Sequence, residues 1–283
     1  MERHSTGALA LKARARNVPR SRHQHWWETV FDEQYLKTYV DIVTPERTVQ
    51  QVAFLMRHLR LKKSAHILDL ACGYGRHAIA LSEKGHAVTG LDFSKHFIAL
   101  AKRHATERGV NTQFIHADMR NLAFVNRFDA VISIFTSFGY FEDDSDNVLV
   151  LKKISQALKP NGEFIIDLNN LTRIIAWLSR EGVVDNTTHR LTATRTEKLS
   201  NGLVVTTKDE FHSLTMRASK TRIWKERSTQ KRYTTDVRLF SLPEFSCLLE
   251  EQGLAVTAVW GDFDDSRFGS DSRRMIIRAR KNP

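Results

Sequence analysis

The chain of 283 residues is long enough to form one elaborated domain that buries most of its unfolded surface. Hydrophobic residues make up 41% and charged residues 27%. This composition is ordinary for a soluble globular protein, and no apolar run approaches the roughly 20 residues of a membrane-spanning helix, so we expect no membrane protein. Two cysteines, Cys72 and Cys247, are too few for a disulfide framework and predict a cytoplasmic setting.

The net charge of +11 raises the question of a nucleic-acid partner. The excess lies in the first 22 residues and in residues 208–238. We interpret residues 1–24 as a flexible basic tail, with an organelle transit peptide as the less favoured alternative. In the second stretch, Ser and Thr separate the basic residues, which favours a solvated strand face over a surface that follows an RNA backbone. These basic residues include Arg217, Lys220, Arg222, Lys225 and Arg227.

Aromatic residues recur every four positions after the tail, at Trp27, Phe31, Tyr35 and Tyr39. The spacing predicts one helix with an aromatic face, within a helical cap over residues 25–60. Packing of that face on the core is one interpretation, and closure of the two tyrosines over a ligand is the other.

A buried strand, a glycine turn and a helix come next, an order that is typical of a site for a nucleotide-like cofactor. Glycines let backbone N–H groups approach a ligand closely, and a helix N-terminus favours negative charge. Gly73-x-Gly75-x-x-Ala78 also fits the loose fingerprint of dinucleotide enzymes. Asp69 argues against that alternative, because a carboxylate before the turn repels a pyrophosphate and attracts a cationic amino acid.

Two further acidic residues follow the next two predicted strands. Asp92 ends the strand at 87–91, and Asp118 comes after the strand at 113–116. Asp92 lies 23 residues after Asp69, a spacing that suits a carboxylate bound to a ribose. Three acids at successive strand ends are more than independent helix caps would explain.

The remaining patterns place these residues in an α/β fold. Four strand-plus-helix units lead to a fifth strand at 163–168, which predicts a doubly wound sheet. Residues 183–240 alternate with period two around the Asn201-Gly202 turn, which predicts inserted antiparallel hairpins. A helix that opens with a capping box at Ser241 and two strands end the chain.

The segment Asp69-Leu-Ala-Cys72-Gly73-Tyr-Gly75 resembles motif I of the class I S-adenosylmethionine-dependent methyltransferases, and its order with the two later aspartates strengthens the resemblance. The resemblance implies S-adenosylmethionine as cofactor. It also implies a mostly parallel, Rossmann-like sheet of seven strands, closed by a hairpin antiparallel to the sheet, with the β insertion after strand 5. We divide the chain into five parts. They are a tail (1–24), a cap (25–60), a cofactor-binding core (61–170), a lid of an inserted helix and hairpins (171–240), and a C-terminal helix and hairpin (241–283).

The resemblance also implies a role for each matching residue. Asp69 and the backbone at Ala71, Gly73 and Gly75 would hold the methionine moiety, and Asp92 would accept both ribose hydroxyls. Other matching residues would flank the adenine, lie beside the sulfonium or close over the cofactor. These residues are Phe93, Asp118 and Met119 for the adenine, Phe135 for the sulfonium, and Tyr35 and Tyr39 for closure.

The predicted activity is methyl transfer to an N, O or C atom of a small molecule, with Ser137, Tyr140 and Asp167 at the acceptor. A sulfonium donor already carries the activation, so the protein mainly aligns the partners and excludes water, and we expect no metal. Tyr140, Asp167 and His77 are candidate proton acceptors, and none is singled out as a base. The alternatives are methylation of RNA (tRNA) or protein, and a partner subunit that binds S-adenosylmethionine without turnover.

Overall fold

The computed structural model describes residues 25–59 and 61–283. The predicted basic tail, residues 1–24, lies outside the described residues. Within the described part, no helix combines the length and the apolar character needed to cross a membrane.

Helices and strands alternate through the first half of the chain. The helices are α1 (Trp27–Val30), α2 (Glu33–Thr38), α3 (Pro45–Leu59), α4 (Arg76–Glu83), α5 (Lys95–Glu107), α6 (Asp144–Ala157), α7 (Leu171–Glu181) and α8 (Leu242–Glu251). The strands of the first half are β1 (His66–Leu70), β2 (Ala87–Asp92), β3 (Gln113–His116), β4 (Phe128–Ser133) and β5 (Leu158–Asn169). Those of the second half are β6 (Val183–Asp185), β7 (Arg190–Lys198), β8 (Val204–His212), β9 (Arg217–Glu226), β10 (Thr229–Arg238), β11 (Leu254–Trp260) and β12 (Arg274–Lys281).

The main sheet has seven strands in the order β11-β12-β5-β4-β1-β2-β3. Its central strands are parallel and covered on both faces, since Phe164 and Ile166 pack into one core cluster and Ile165 into the other. The doubly wound fold is therefore confirmed. The predicted closing hairpin is only half right, because β12 is antiparallel to both neighbours and β11 consequently runs in the direction of the parallel strands.

Two predictions about helices are also wrong in detail. The aromatic segment is not one helix, because the Asp32 carboxylate accepts the backbone N–H groups of Gln34 and Tyr35 and so starts a second helix. The third strand-plus-helix unit contains only a short 3₁₀ turn, Met119–Asn121, whose N-cap is Asp118. At both aspartates, the side chain accepts hydrogen bonds from nearby backbone N–H groups, which starts a new helical turn there.

The inserted hairpins form a separate antiparallel sheet in the order β10-β9-β8-β7-β6, as predicted. Its basic residues do not all lie on a solvated face. Arg217 is buried and donates to Asp236 at 3.0 Å, and Arg222 is buried and donates to the Thr38 carbonyl oxygen. The prediction of a solvated face is therefore wrong for these two arginines, because each has found a partner distant in sequence.

Candidate functional site

A cavity opens where the parallel strands of the main sheet end. Its lining comes from the segments after β1, β2, β3 and β4 and from the N-terminal helices α1 and α2. Ligands of open α/β sheets bind at this carboxyl edge. The lining includes ten predicted site residues, namely Tyr35, Ala71, Gly73, Asp92, Phe93, Asp118, Met119, Phe135, Ser137 and Tyr140. Four others, Tyr39, Asp69, Gly75 and Asp167, are not among the lining residues.

The glycine turn supplies the floor of the cavity. Gly73 and Gly75 have positive φ values of 56° and 83°, which favour glycine. A Cβ on Gly73 would meet only the Phe97 ring, at 3.9 Å, so this position leaves room for a ligand. A Cβ on Gly75 would lie 2.8 Å from the Phe114 ring, so Gly75 is required for packing beneath the turn.

Asp92 ends β2 and fixes the glycine turn from the side. Its Oδ2 accepts the Gly73 N–H at 2.8 Å and its Oδ1 accepts the Ser94 N–H at 2.7 Å. Burial raises the pKa of this carboxyl, while the backbone hydrogen bonds lower it. Each carboxylate oxygen can accept a further hydrogen bond, so Asp92 can also bind hydroxyl groups of a ligand in the cavity.

Asp118 is held by an arginine that the sequence analysis did not single out. The Asp118 carboxylate accepts the Arg120 backbone N–H at 2.8 Å and the Arg120 Nη2 at 2.6 Å. Arg120 also donates to Asp146 at 2.8 Å and lies over the Phe141 ring at 4.4 Å. The carboxylate is therefore fixed in place and has less capacity left for an adenine amino group, a role that stays a prediction.

Phe135 begins a turn with unusual backbone geometry. Phe135 and Thr136 have φ values of 73° and 57°, a region that costs a non-glycine residue about 1–3 kcal/mol. Asp167 holds this turn, because its Oδ2 accepts the Phe135 N–H at 2.8 Å and its carbonyl oxygen accepts the Thr136 N–H at 2.9 Å. Arg274 donates to the Asp167 Oδ1 at 2.5 Å.

These contacts correct the prediction for Asp167. The side chain is only 1% exposed and does not line the cavity. Both of its oxygens already bind protein groups, so it shapes the site from behind and does not contact an acceptor.

Tyrosines form the outer wall. Tyr35 stacks on Tyr39 with ring centroids 4.3 Å apart, and Tyr39 in turn meets the edge of Phe135 at 5.8 Å. Burial raises the pKa of Tyr35 and of Tyr140 above the usual value of a phenol. Both hydroxyl groups therefore stay protonated near neutral pH and can donate hydrogen bonds to a ligand.

His77 also lines the cavity and is buried. Its Nε2 lies 2.9 Å from the Gln51 Oε1, and burial lowers its pKa, so the ring is neutral near pH 7. Across residues 25–59 and 61–283, no group of three or more His, Cys, Asp or Glu side chains is arranged to hold a metal ion.

Asp69 lies beneath the lining. It is 1% exposed, and its Oδ2 has no hydrogen-bond partner within the described part of the chain. Burial raises the pKa of Asp69 to about 7, against the attraction of Arg76. This buried position does not give it the direct contact with a methionine moiety that the resemblance implied.

We expect the raised pKa of Asp69 to make stability depend on pH. The folded state keeps a proton that the unfolded chain releases near its ordinary pKa of 3.8, so this stabilisation is complete below that value and is lost as the pH rises through about 7. Asp69→Asn removes the titration. Its free energy of unfolding, measured with urea, should rise relative to the parent protein by at most about 1.4 kcal/mol per pH unit in that window.

The control is Asp264→Asn, because Asp264 is exposed and its pKa is lowered by hydrogen bonds in its own turn. That variant should not gain stability over the parent protein as the pH rises. Parallel pH profiles for Asp69→Asn and the parent protein would contradict the assignment.

Several lining residues were missed by the sequence analysis. They are Trp27, Phe31, Tyr74, Arg76, Phe97 and Phe141, besides Arg120 behind the lining. Arg76 could have been found, since it directly follows the glycine turn. Phe97 and Phe141 carry no such signal, because helix packing explains each of them equally well in sequence.

The arrangement fits S-adenosylmethionine. The open space at Gly73, the residual acceptor capacity of Asp92 and the aromatic walls suit a cofactor that carries a ribose and an adenine. Asp69 also places a carboxyl oxygen without a hydrogen-bond partner among the described residues near the turn. A cationic group there would favour the ionised form of this carboxyl, and a pyrophosphate would not.

Comparisons with known proteins agree. A family model described as "Methyltransferase domain" matches residues 67–162. The putative methyltransferase YqeM of Bacillus subtilis is 26% identical over 224 residues, which cover 78% of this chain and 86% of the relative. A glycine/sarcosine N-methyltransferase of Halorhodospira halochloris is 29% identical over 51% of this chain. The match spans only 57% of that relative's length.

Solved structures share the fold at low sequence identity. The CcbJ methyltransferase of Streptomyces caelestis aligns with a TM-score of 0.74 and 18% identity, over 90% of this chain and 99% of the other. A methyltransferase of Clostridium acetobutylicum that depends on S-adenosylmethionine aligns with a TM-score of 0.72 and 17% identity, over 88% and 97%. In its fold, its glycine-turn motif and its relatives, the chain is similar to the class I S-adenosylmethionine-dependent methyltransferases.

Proposed function

We propose that this enzyme transfers a methyl group from S-adenosylmethionine to a small molecule. The observation that carries the proposal is the cavity itself. It is lined both by Gly73 and Asp92, which suit a cofactor, and by several aromatic side chains. Concave, mostly apolar cavities with a few polar groups are typical of small-molecule sites.

The names of relatives support a nitrogen acceptor more than oxygen or carbon. Besides the glycine/sarcosine enzyme, a dTDP-3-amino-3,6-dideoxy-alpha-D-glucopyranose N,N-dimethyltransferase of Streptomyces fradiae is 30% identical over 41% of this chain. Both names describe N-methylation of a small molecule. The acceptor of the present enzyme is inferred from these names and from the cavity together.

The protein contributes alignment and exclusion of water to this reaction. When bound, S-adenosylmethionine would supply an activated methyl group for in-line transfer to the acceptor, with S-adenosylhomocysteine as the leaving group. Asp92 would hold the ribose hydroxyls, and the strained turn at Phe135 would present an aromatic ring beside the reacting centre. The buried hydroxyls of Tyr35 and Tyr140 keep their protons, so they orient an acceptor by hydrogen bonding and do not act as bases.

The N-terminal helices and the inserted sheet are proposed to cover the acceptor together, as the cap and lid of the domain division. Lys37 donates to Glu226 at 3.2 Å, and the hydroxyls of Thr38 and Tyr233 lie 2.5 Å apart. The Arg222 guanidinium lies over the Tyr39 ring at 4.3 Å. These contacts join the two segments into one wall, so a deletion of the sheet would also disturb the tyrosines of the cap.

RNA as acceptor is less well supported. Arg217 and Arg222, two of the basic residues that suggested it, are buried and bound to protein groups. Lys225 and Arg227 remain exposed, and we expect them to give only nonspecific attraction to polyanions. A cytoplasmic location is also proposed, because both cysteines are free.

The test is methyl transfer from labelled S-adenosylmethionine to extract fractions separated at about 1 kDa, with and without nuclease. We expect nuclease-resistant label in the small fraction, lost in Asp92→Ala and unchanged in the exposed-residue variant Lys225→Ala/Arg227→Ala. Label that appears only in RNA, and that the double variant loses, would contradict the small-molecule proposal. Binding of S-adenosylhomocysteine with no label in any fraction would favour a silent partner subunit.

A further inference from the structure

Arg76 is a cation that the described residues leave partly unpaired. It is the first residue of α4 and lines the cavity. Its Nη1 donates to the Thr48 Oγ1 at 3.0 Å and to the Gln51 Oε1 at 2.5 Å, both on α3. One edge of the guanidinium is therefore fixed by a neighbouring helix.

The other edge of the guanidinium is available. Among the residues that the structure describes, no hydrogen bond engages the Arg76 Nε or Nη2. Neither atom is a buried donor without a hydrogen-bond partner, as the Arg222 Nε is. A guanidinium presents its donors as a planar fork, which matches the two oxygens of a carboxylate.

No carboxylate of the described residues binds the free edge of the Arg76 guanidinium. Asp69 and Asp167 attract Arg76 electrostatically, yet within residues 25–59 and 61–283 no carboxylate oxygen lies within the 4.0 Å of an ion pair with it. Asp167 is bound to Arg274, and Asp69 is buried beneath the turn. Burial lowers the pKa of Arg76, which reflects the cost of holding a charge in an apolar cavity.

We infer that Arg76 is a carboxylate-binding residue, and that its free edge takes the carboxylate of the amino-acid moiety of S-adenosylmethionine. This inference rests on the proposed function, since that cofactor carries one carboxylate and no phosphate. A carboxylate on the acceptor is the second source of the same chemistry, because Arg76 also lies 5.9 Å from the centroid of the Phe135 ring, which we propose to lie beside the reacting centre. In either case Arg76 selects ligands with a carboxylate at this end of the cavity.

Isothermal titration of S-adenosylhomocysteine and of its decarboxylated analogue separates the carboxylate from the rest of the ligand. Arg76→Gln should weaken binding of S-adenosylhomocysteine by about 10- to 100-fold and change binding of the analogue by less than about threefold. Arg76→Lys, which keeps the charge without the fork, should lose less. The matched control is Arg103→Gln, because Arg103 is 63% exposed and pairs with Glu107 in its own helix. Its affinities should not change.

Each other outcome has a defined meaning. If only the binding of glycine to the protein saturated with S-adenosylhomocysteine falls in Arg76→Gln, the carboxylate belongs to the acceptor. Equal losses for both cofactor analogues, or no loss for any ligand, would overturn the inference. Absence of S-adenosylhomocysteine binding by the parent protein would instead reject the proposed function. Should Arg76→Gln fail to fold, Thr48→Val removes one anchor of the guanidinium and should produce a smaller loss with the same selectivity.

Discussion

Asp92→Ala is expected to weaken the binding of S-adenosylhomocysteine by about 30- to 1,000-fold, or about 2–4 kcal/mol. Two losses combine in this variant. The ligand loses a carboxylate that can accept its ribose hydroxyls, and the N–H groups of Gly73 and Ser94 lose their acceptor, so the floor of the cavity loses its support. Isothermal titration calorimetry measures the change directly.

Asp129→Ala is the matched control. Asp129 is also a carboxylate that accepts a backbone N–H at a strand, from His66 at 2.8 Å, but it does not line the cavity. Its replacement should leave the affinity within about threefold of the parent value. Unchanged affinity in a folded Asp92→Ala protein would reject the ribose assignment, and comparable binding of NAD by the parent protein would revive the dinucleotide alternative.

The sequence was sufficient to predict the part of the site that depends on local order. Asp92, Asp118 and Phe135 each follow a parallel strand, and the carboxyl ends of parallel strands meet at one edge of the sheet. Their presence around one cavity therefore follows from the strand pattern. The break between α1 and α2 was also predictable, since Asp32 is a strong N-cap residue, but the regular aromatic spacing outweighed that signal.

The parts that failed depend on partners far apart in the chain. Asp167 has the same position at a strand end as the cofactor acids, but it binds the Phe135 N–H and also Arg274, 107 residues later, and so has a structural role. Likewise, the sequence pattern predicts that Arg222 lies on the surface, because it does not reveal the partner Thr38, 184 residues earlier. Periodicity reports which face of an element is apolar and does not report which polar group will meet another across the fold.

Arg274→Met is expected to lower the free energy of unfolding by about 3–5 kcal/mol, because it leaves the buried Asp167 carboxylate without its cation. The guanidinium also donates to the Asn169 Oδ1 at 2.7 Å and to the Thr136 Oγ1 at 2.6 Å. Urea denaturation measures the loss. Arg280→Met is the control, because Arg280 lies on the same strand but is 54% exposed, and its replacement should cost less than about 1 kcal/mol.

A second substitution tests whether Arg274 holds the strained turn or only neutralises Asp167. Thr136→Gly removes the cost of the positive φ, about 1–3 kcal/mol, but in the parent protein it also removes the oxygen that accepts from Arg274. In the Arg274→Met background only the relief of strain remains. Thr136→Gly should therefore stabilise Arg274→Met by more than it stabilises the parent protein. Equal effects in the two backgrounds would mean that the hydrogen bond from Arg274 to Thr136 contributes nothing, and that Arg274 acts only by neutralising Asp167.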